Sequence, residues 1–318
     1  LIKALRQIKI IDYTLNIKFM RRFKFIIAVL GLAMMYTGVY GQSWVNCKPG
    51  TVPSEAKVCG KESNGSKLYL VRAKFNRSYT PGKYGKHLKF AHIAYGNKEK
   101  TNTQFQIYTG NGKWVASANG RVPLGAVVCG YDTDQKPLFA ARARYKGGVH
   151  LGKMKWGFKG VHISYGGREI EVNEYEVLTE VTKWRKASSG KLPLGAVVSG
   201  NDTEGNPAFV ARANMQRGMC PGYSNVKQGC FPFNGKNTMV NNFEVFVGKP
   251  KWRKPKGRKI PLNAVVTGFE NNGHPMFTAK VKSGNNVLIG KMRDNFGNAH
   301  FLVSGKEREL ANYKILVF

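Results

Sequence analysis

The sequence predicts an all-β fold made of four copies of one unit of about 70 residues. Three observations predict it. Trp44, Trp114, Trp184 and Trp252 recur at intervals of 70, 70 and 68 residues. The same punctuation follows each Trp at the same distance. A proline stands nine on (Pro53, Pro123, Pro193, Pro261) and a glycine sixteen on (Gly60, Gly130, Gly200, Gly268). A basic residue stands twenty-eight on (Arg72, Arg142, Arg212, Lys280) and a second glycine thirty-eight on (Gly82, Gly152, Gly222, Gly290), and an aromatic closes each copy (Phe105, Tyr175, Phe243, Tyr313). Finally, the apolar runs have strand length and are separated by Gly, Asn, Asp and Pro, with no helical periodicity.

The second copy shows the elements in order. Gly125–Cys129, Pro137–Tyr145, Gly160–Tyr165 and Glu174–Leu178 read as successive strands. The proline at nine and the glycine at sixteen bracket the first of them, which assigns both to turn chemistry. A 70-residue unit buries little core alone, and the copies alternate in a way that answers this. The first and third carry Pro81-Gly82 and Pro221-Gly222, whereas the second and fourth carry Leu151 to Lys155 and Ile289 to Arg293, an aliphatic-Gly-Lys-Met-basic string. The A-B-A-B pattern predicts two tandem modules of two repeats each, residues 42–180 and 181–318.

Residues 1–41 read as a leader and secretory signal. Met20 is the expected start, Arg21, Arg22 and Lys24 supply its positive end, and an apolar run from Phe25 to Tyr40 precedes cleavage before Gln42. That run of about sixteen residues stops short of the roughly twenty of a spanning helix, so the expectation is a secreted protein without a transmembrane anchor. The chain holds 51 Lys/Arg and 18 Asp/Glu; residues 1–41 account for seven and one, leaving 44 and 17, a net charge of +27. Such a field attracts polyanions generally. Outside the cell it favours acidic polysaccharides and anionic surfaces over nucleic acid. The run Lys249, Lys251, Arg253, Lys254, Lys256, Arg258, Lys259 is the densest basic segment and the candidate polyanion site, read as a connector before the fourth copy.

Five cysteines suit an oxidising compartment with one thiol left over. Cys47 with Cys59, and Cys220 with Cys230, are the candidate disulfides, the second pair bracketing a loop expected only in the third copy; the pairing of Cys129 stays open. No two cysteines have Cys-x-x-Cys spacing, so no structural zinc is expected. His92, His162 and His300 fall at one repeat position inside a strand and read as structural. No nucleophile elbow, metalloprotease helix or phosphate-cradling loop occurs. The expectation is a protein that is not an enzyme and needs no cofactor.

The string Trp114-Val115, Gly120 to Val128, Gly130-Tyr131-Asp132, Leu138-Phe139, Ala141 to Ala143, Gly152-Lys153, Tyr165 to Glu169 and Tyr175 to Leu178 resembles the DM-nine domain family. This family of small β repeats occurs in invertebrate secreted and immune proteins. The resemblance runs from Trp44 to Phe318; no aerolysin-like pore segment follows, which sets the toxin branch of the family aside. It implies mannose-type sugar binding by an acidic residue two after the position-sixteen Gly and the lysine of the Gly-Lys element. Those positions hold Glu62 and Lys83, Asp132 and Lys153, Asp202 and Tyr223, Glu270 and Lys291. The chemistry is coherent, since a carboxylate accepts from vicinal hydroxyls while an ammonium donates; the bland counterpart is an exposed turn ion pair. The third copy breaks the pattern at Tyr223. Sequons at Asn64, Asn76 and Asn201 are candidate glycosylation sites flanking the A-type positions.

The sequence therefore points to a secreted, lectin-like protein recognising cell-surface or matrix glycans in innate immunity or adhesion. The alternative is a basic structural or adhesive matrix protein that binds acidic polysaccharides. A homo-oligomer is left open.

Overall fold

The computed structural model describes residues 44–181, 183–257 and 259–318. The expected leader and signal, and Arg258 of the basic run, lie outside the described residues. Each repeat folds into seven short strands, and no helix forms among the described residues. In the second repeat these are Lys113–Ala118, Val128–Tyr131, Pro137–Tyr145, Gly148–Met154, Val161–Tyr165, Arg168–Val172 and Glu174–Thr179. The long third and fourth strands form a hairpin from Phe139 opposite Met154 to Tyr145 opposite Gly148.

Repeats 1 and 2 share one fourteen-stranded antiparallel sheet, and repeats 3 and 4 share another. Within each sheet the strand order of one repeat is mirrored by the next, so the two are related by an approximate two-fold. At the join, sixth strand meets sixth strand (Arg168 opposite Lys98, Lys236 opposite Lys306). The second strand of each repeat pairs with its own third strand and also lies on the fourth strand of the other repeat, with Lys61 paired to Val149 and Phe269 to Met219.

That contact corrects the reading of the position-sixteen glycine as turn chemistry. A Cβ on Gly130 would lie 1.8 Å from the carbonyl oxygen of Tyr79, and on Gly268 2.1 Å from that of Met219. The glycine is there because two backbones from different repeats touch at that point. The proline at nine does head a turn, since the amides of Ala56, Ala126, Ala196 and Ala264 bond back to the carbonyls of Pro53, Pro123, Pro193 and Pro261.

The recurring Trp and the basic residue twenty-eight later are one unit. Arg72, Arg142 and Arg212 lie 4.4, 4.6 and 4.3 Å from the rings of Trp44, Trp114 and Trp184, and Lys280 lies 4.5 Å from Trp252. Arg142 also pairs with Glu176, and Arg212 with Glu244.

The two modules are not separate bodies. Gly125–Val128 of repeat 2 lies antiparallel to Asn263–Val266 of repeat 4, with Val127 opposite Val265. Four hydrogen bonds of 2.9 Å join them: Gly125 N to Val266 O, Val128 N to Ala264 O, Asn263 N to Val128 O and Val266 N to Ala126 O. Trp156 stacks on His274 at 3.8 Å across the same junction. The cores of repeats 2 and 4 merge into one cluster containing Phe139, Met154, Phe277 and Met292, while repeats 1 and 3 keep their own.

All five cysteines are free thiols, which corrects both expected disulfides. Cys230 is opposite Tyr223, three residues along from Cys220, so the two are about 10 Å apart in strand rise, beyond the about 4.4–6.8 Å Cα separation a disulfide spans. The connection between Ser224 and Gly229 is also shorter by two residues than its counterpart between Met154 and Val161, not an added loop. Cys47 packs into the core of repeat 1, whereas Cys59 sits in the layer between repeats 1 and 2 beside Cys129.

Candidate functional site

Third and fourth strands run antiparallel, which brings the expected acid and lysine of each repeat to the same end of one hairpin. Their partners then differ copy by copy. In repeat 1 the expected pair forms: Lys83 Nζ lies 3.2 Å from Glu62 Oε1. Repeat 2 closes over it. His150, fully buried, has Nδ1 3.3 Å from Lys83 Nζ and 3.6 Å from Glu62 Oε2, and Tyr165 presents its ring 5.7 Å from the ammonium. Burial and the adjacent Lys83 charge hold His150 below the usual imidazole pKa, so it sits there neutral.

In repeats 2 and 4 acid and lysine do not bond to each other. Lys155 donates to Asp132 at 2.6 Å, and Arg293 pairs with Glu270. These are the terminal basic residues of the Gly-Lys-Met-basic string; the first repeat has Gly85 at that point and the third Asn225, so the A-B alternation decides what each acid meets. Burial alone would raise the Asp132 carboxyl, but the Lys155 hydrogen bond, the Thr133 amide and the charges of Lys155 and Lys153 bring it below its ordinary value.

The lysines have a second acid that sequence reasoning missed. Lys153 Nζ lies 3.1 Å from Glu169, and Lys291 Nζ 3.0 Å from Glu307. The same carboxylates take the repeat histidines, His162 at 2.9 Å and His300 at 2.8 Å, and in repeat 1 His92 meets Glu99 at 2.8 Å. Their other oxygens cross the module axis: Glu169 accepts from Asn97 N, Glu99 from Gly167 N and Glu307 from Gly235 N. The signal was a His and a Glu seven apart in three of four copies. In repeat 3 the register puts Tyr223, Cys230 and Asn237 in place of lysine, histidine and glutamate. Asp202 there caps its own turn, accepting from the amides of Glu204 and Asn206, and also accepts from Asn225 Nδ2 at 3.5 Å.

A cavity of about 310 Å³ opens between repeats 3 and 4, lined by Glu270, Lys291, Asn271, Phe233, Asn234 and Cys220 among others. It contains the expected acid and lysine of repeat 4. Lys291 spends two donors on Glu307 and the carbonyl of Pro232, leaving one of its three. Glu270 engages Arg293 through Oε2 alone among the described residues. Cys220 occupies the position that His150 fills over the repeat 1 pair, and its smaller side chain leaves this space; burial pushes its thiol up to about 12, so it lines the wall as a neutral group.

Family models for the DM9 repeat match residues 36–101, 62–170, 154–231 and 223–310. The chain belongs to the DM9 repeat family. Among curated proteins, no sequence matches it. Among solved structures, the nematode sperm cell motility protein MFP2B is similar at 12% identity, covering 88% of this chain and 97% of its own, with a TM-score of 0.36.

The basic run is also corrected in character. It is no linker, because Lys251–Arg253 form the last strand of the second sheet, with Trp252 opposite Leu316. Lys249, Lys251, Arg253, Lys254 and Lys256 are exposed and form no ion pair among the described residues; Lys259 turns inward, 5.7 Å from the Tyr131 ring. Of the sequons, Asn64 and Asn76 are exposed. Asn201 is not available: its amide donates to Asn286 and its carbonyl oxygen accepts from Val287 N, inside the contact between repeats 3 and 4.

Proposed function

We propose that this DM9 protein is a secreted, lectin-like binder of neutral mannose-type sugars, and that its principal site is the cavity between repeats 3 and 4. The observation that carries the reading is the placement of Glu270 and Lys291 on one cavity, each with hydrogen-bonding capacity to spare. Its volume falls at the lower end of the about 300–1,000 Å³ of small-molecule sites. The carboxylate would accept from two neighbouring sugar hydroxyls, the ammonium and the amides of Asn234 and Asn271 would donate, and Phe233 and Phe269 offer apolar surface to the C–H face of the ring. In this reading the site holds hydroxyls rather than catalysing, the Cys220 thiol on its wall being neutral.

Glu62 and Lys83 satisfy one another beneath His150, and Asp132 has both oxygens engaged, one by the Thr133 amide and one by Lys155, so these expected sites support sugar binding less well. A glycan array read at low and physiological salt tests the proposal. Neutral mannose ligands should be retained equally at both, because no charge is screened. Retention only of sulfated or carboxylated glycans, lost as salt rises, would replace this reading with the second one.

That second reading, attachment to acidic polysaccharides, rests on its own observation. Where repeats 2 and 3 pair Arg142 with Glu176 and Arg212 with Glu244, repeat 4 sets Lys280 opposite Lys314 beside the exposed Lys251 and Arg253 of its edge strand.

A further inference from the structure

One hexapeptide occurs twice in the chain with two different fates. Pro123–Val128 and Pro193–Val198 both read Pro-Leu-Gly-Ala-Val-Val, seventy residues apart, and repeat 4 has nearly the same sequence at Pro261–Val266. In repeat 2 the segment is the centre of the junction with repeat 4, and Val127 and Val128 are both 0% exposed. In repeat 3 the same side chains face solvent: Leu194 is fully exposed, Val197 is 37% and Val198 56% exposed.

The contrast extends beyond the hexapeptide. Trp156, which stacks on His274 at the junction, has Val226 as its counterpart in repeat 3, and Val226 is exposed. Pro137 is buried against the junction, while its counterpart Pro207 is exposed. Repeat 1 has the same exposed surface but different chemistry, with Ser54, Glu55, Lys57, Lys67 and Lys86 at the corresponding positions. Three fates follow from one backbone. Repeats 2 and 4 are mated, repeat 1 is charged, and repeat 3 is apolar and uncovered. Four of the nine large exposed apolar side chains of the described residues, Leu194, Val197, Val198 and Val226, stand at the repeat 3 counterparts of the junction residues.

The junction already formed shows what fits such a surface. Its four hydrogen bonds are exchanged by a two-fold that carries Gly125 onto Asn263 and Val128 onto Val266, with the axis between Val127 and Val265. A segment that pairs with a near-copy of itself about a two-fold is self-complementary, which is the condition for a closed, isologous dimer. We propose that the Pro193–Val198 face of repeat 3 is a homodimer interface, in which the segment lies antiparallel to the same segment of a second copy, Val197 across from the partner's Val197. The charged face of repeat 1 cannot join in, so association stops at two chains and does not grow into a filament. The inference is independent of what the cavity binds.

Sedimentation velocity of the intact chain over a wide concentration range tests it, alongside two variants. The wild type should dimerise. Val197→Lys reproduces the residue of repeat 1 and sets two ammonium groups against each other across the axis, and it should weaken the dimer at least about tenfold. Val197→Cys should cross-link in air into a reducible dimer that the wild type does not form. Val127 and Val265 are a non-hydrogen-bonded antiparallel pair, for which Cα atoms lie about 4.5 Å apart, within disulfide reach. A wild type that stays monomeric throughout, a dimer indifferent to Val197→Lys, or a dimer whose Val197→Cys variant fails to cross-link would each overturn the proposal. Should Val197→Lys not fold, the cysteine variant decides alone.

Discussion

The pair Glu62–Lys83 in repeat 1 and the pair Glu270–Lys291 in repeat 4 occupy the same repeat positions on the same hairpin, yet one is a closed ion pair and the other a wall of a cavity. The difference comes from neighbours, one in the same repeat and one in the other. Arg293 draws Glu270 away from the lysine, where repeat 1 has only Gly85. The facing repeat then supplies His150 over the first pair and Cys220 over the second. An acid and a lysine at family positions therefore make a binding site only when something else occupies each of them partly and nothing fills the space between.

Exchanging the facing residue should have the largest effect at the repeat 4 pair. Cys220→His should fill the repeat 4 cavity and abolish most mannose binding, at least a tenfold loss (about 1.4 kcal/mol), with the thermal midpoint little changed. The reciprocal His150→Cys should not by itself open a second site, because with Gly85 at the position of Arg293 nothing draws Glu62 from Lys83, and the stoichiometry in a calorimetric titration should stay at one sugar per chain.

The lysines come next, and they report on stability as well as binding. Lys83→Met leaves Glu62 largely buried without its main counter-charge, for which a cost of about 3 kcal/mol is expected. Lys291→Met should cost less, because Glu307 keeps His300 and the Gly235 amide. Chemical denaturation of the two variants checks the order. A lysine-to-alanine test of sugar binding is thus ambiguous unless folding is measured with it.

Acid should act on the shared carboxylates in the same direction in three repeats. Burial would raise Glu99, Glu169 and Glu307, but the histidine bonds, the lysine charges and the backbone amides hold each down to about 2. Unfolded, a glutamate titrates near about 4.3. The stabilisation is therefore complete above that value and is lost as pH falls from about 4.3 towards 2. Glu307→Gln should flatten that part of the stability-against-pH curve. Repeat 3, with Asn237 in that place, contributes nothing to it.

The smallest effect on the sugar site is expected from the edge strand of repeat 4. Replacing Lys251, Arg253, Lys254 and Lys256 with glutamine should lower the salt at which the chain leaves a heparin column, while mannose affinity stays unchanged. A shift in mannose affinity would mean that the two surfaces are coupled.

The repeat count, the all-β class and the pairing of copies were legible because they rest on residues that recur: the Trp with its cation, the turn proline, the A-B alternation. What escaped were contacts between copies. The position-sixteen glycine looked like a turn residue because its reason, a carbonyl from the other repeat, is far away in sequence. Lys153 was matched to Asp132 within its hairpin, whereas its partner Glu169 belongs to the next one. The cysteine pairs at short separation suggested closed loops, but strand register keeps them apart. Three copies of a His and a Glu seven apart were visible, and reading them as one charged group required knowing that the lysine arrives on the adjacent strand.

Sugar binding by Glu270 and Lys291 in the cavity between repeats 3 and 4 is the proposal on which the lectin-like reading depends. The most direct measurement is a calorimetric titration of the intact chain and of Glu270→Gln with methyl α-mannoside, at low and high salt. One saturable site per wild-type chain with salt-independent affinity is expected, and at least a tenfold (about 1.4 kcal/mol) loss in the variant. No saturable binding by the wild type, or the same affinity in Glu270→Gln, would contradict it.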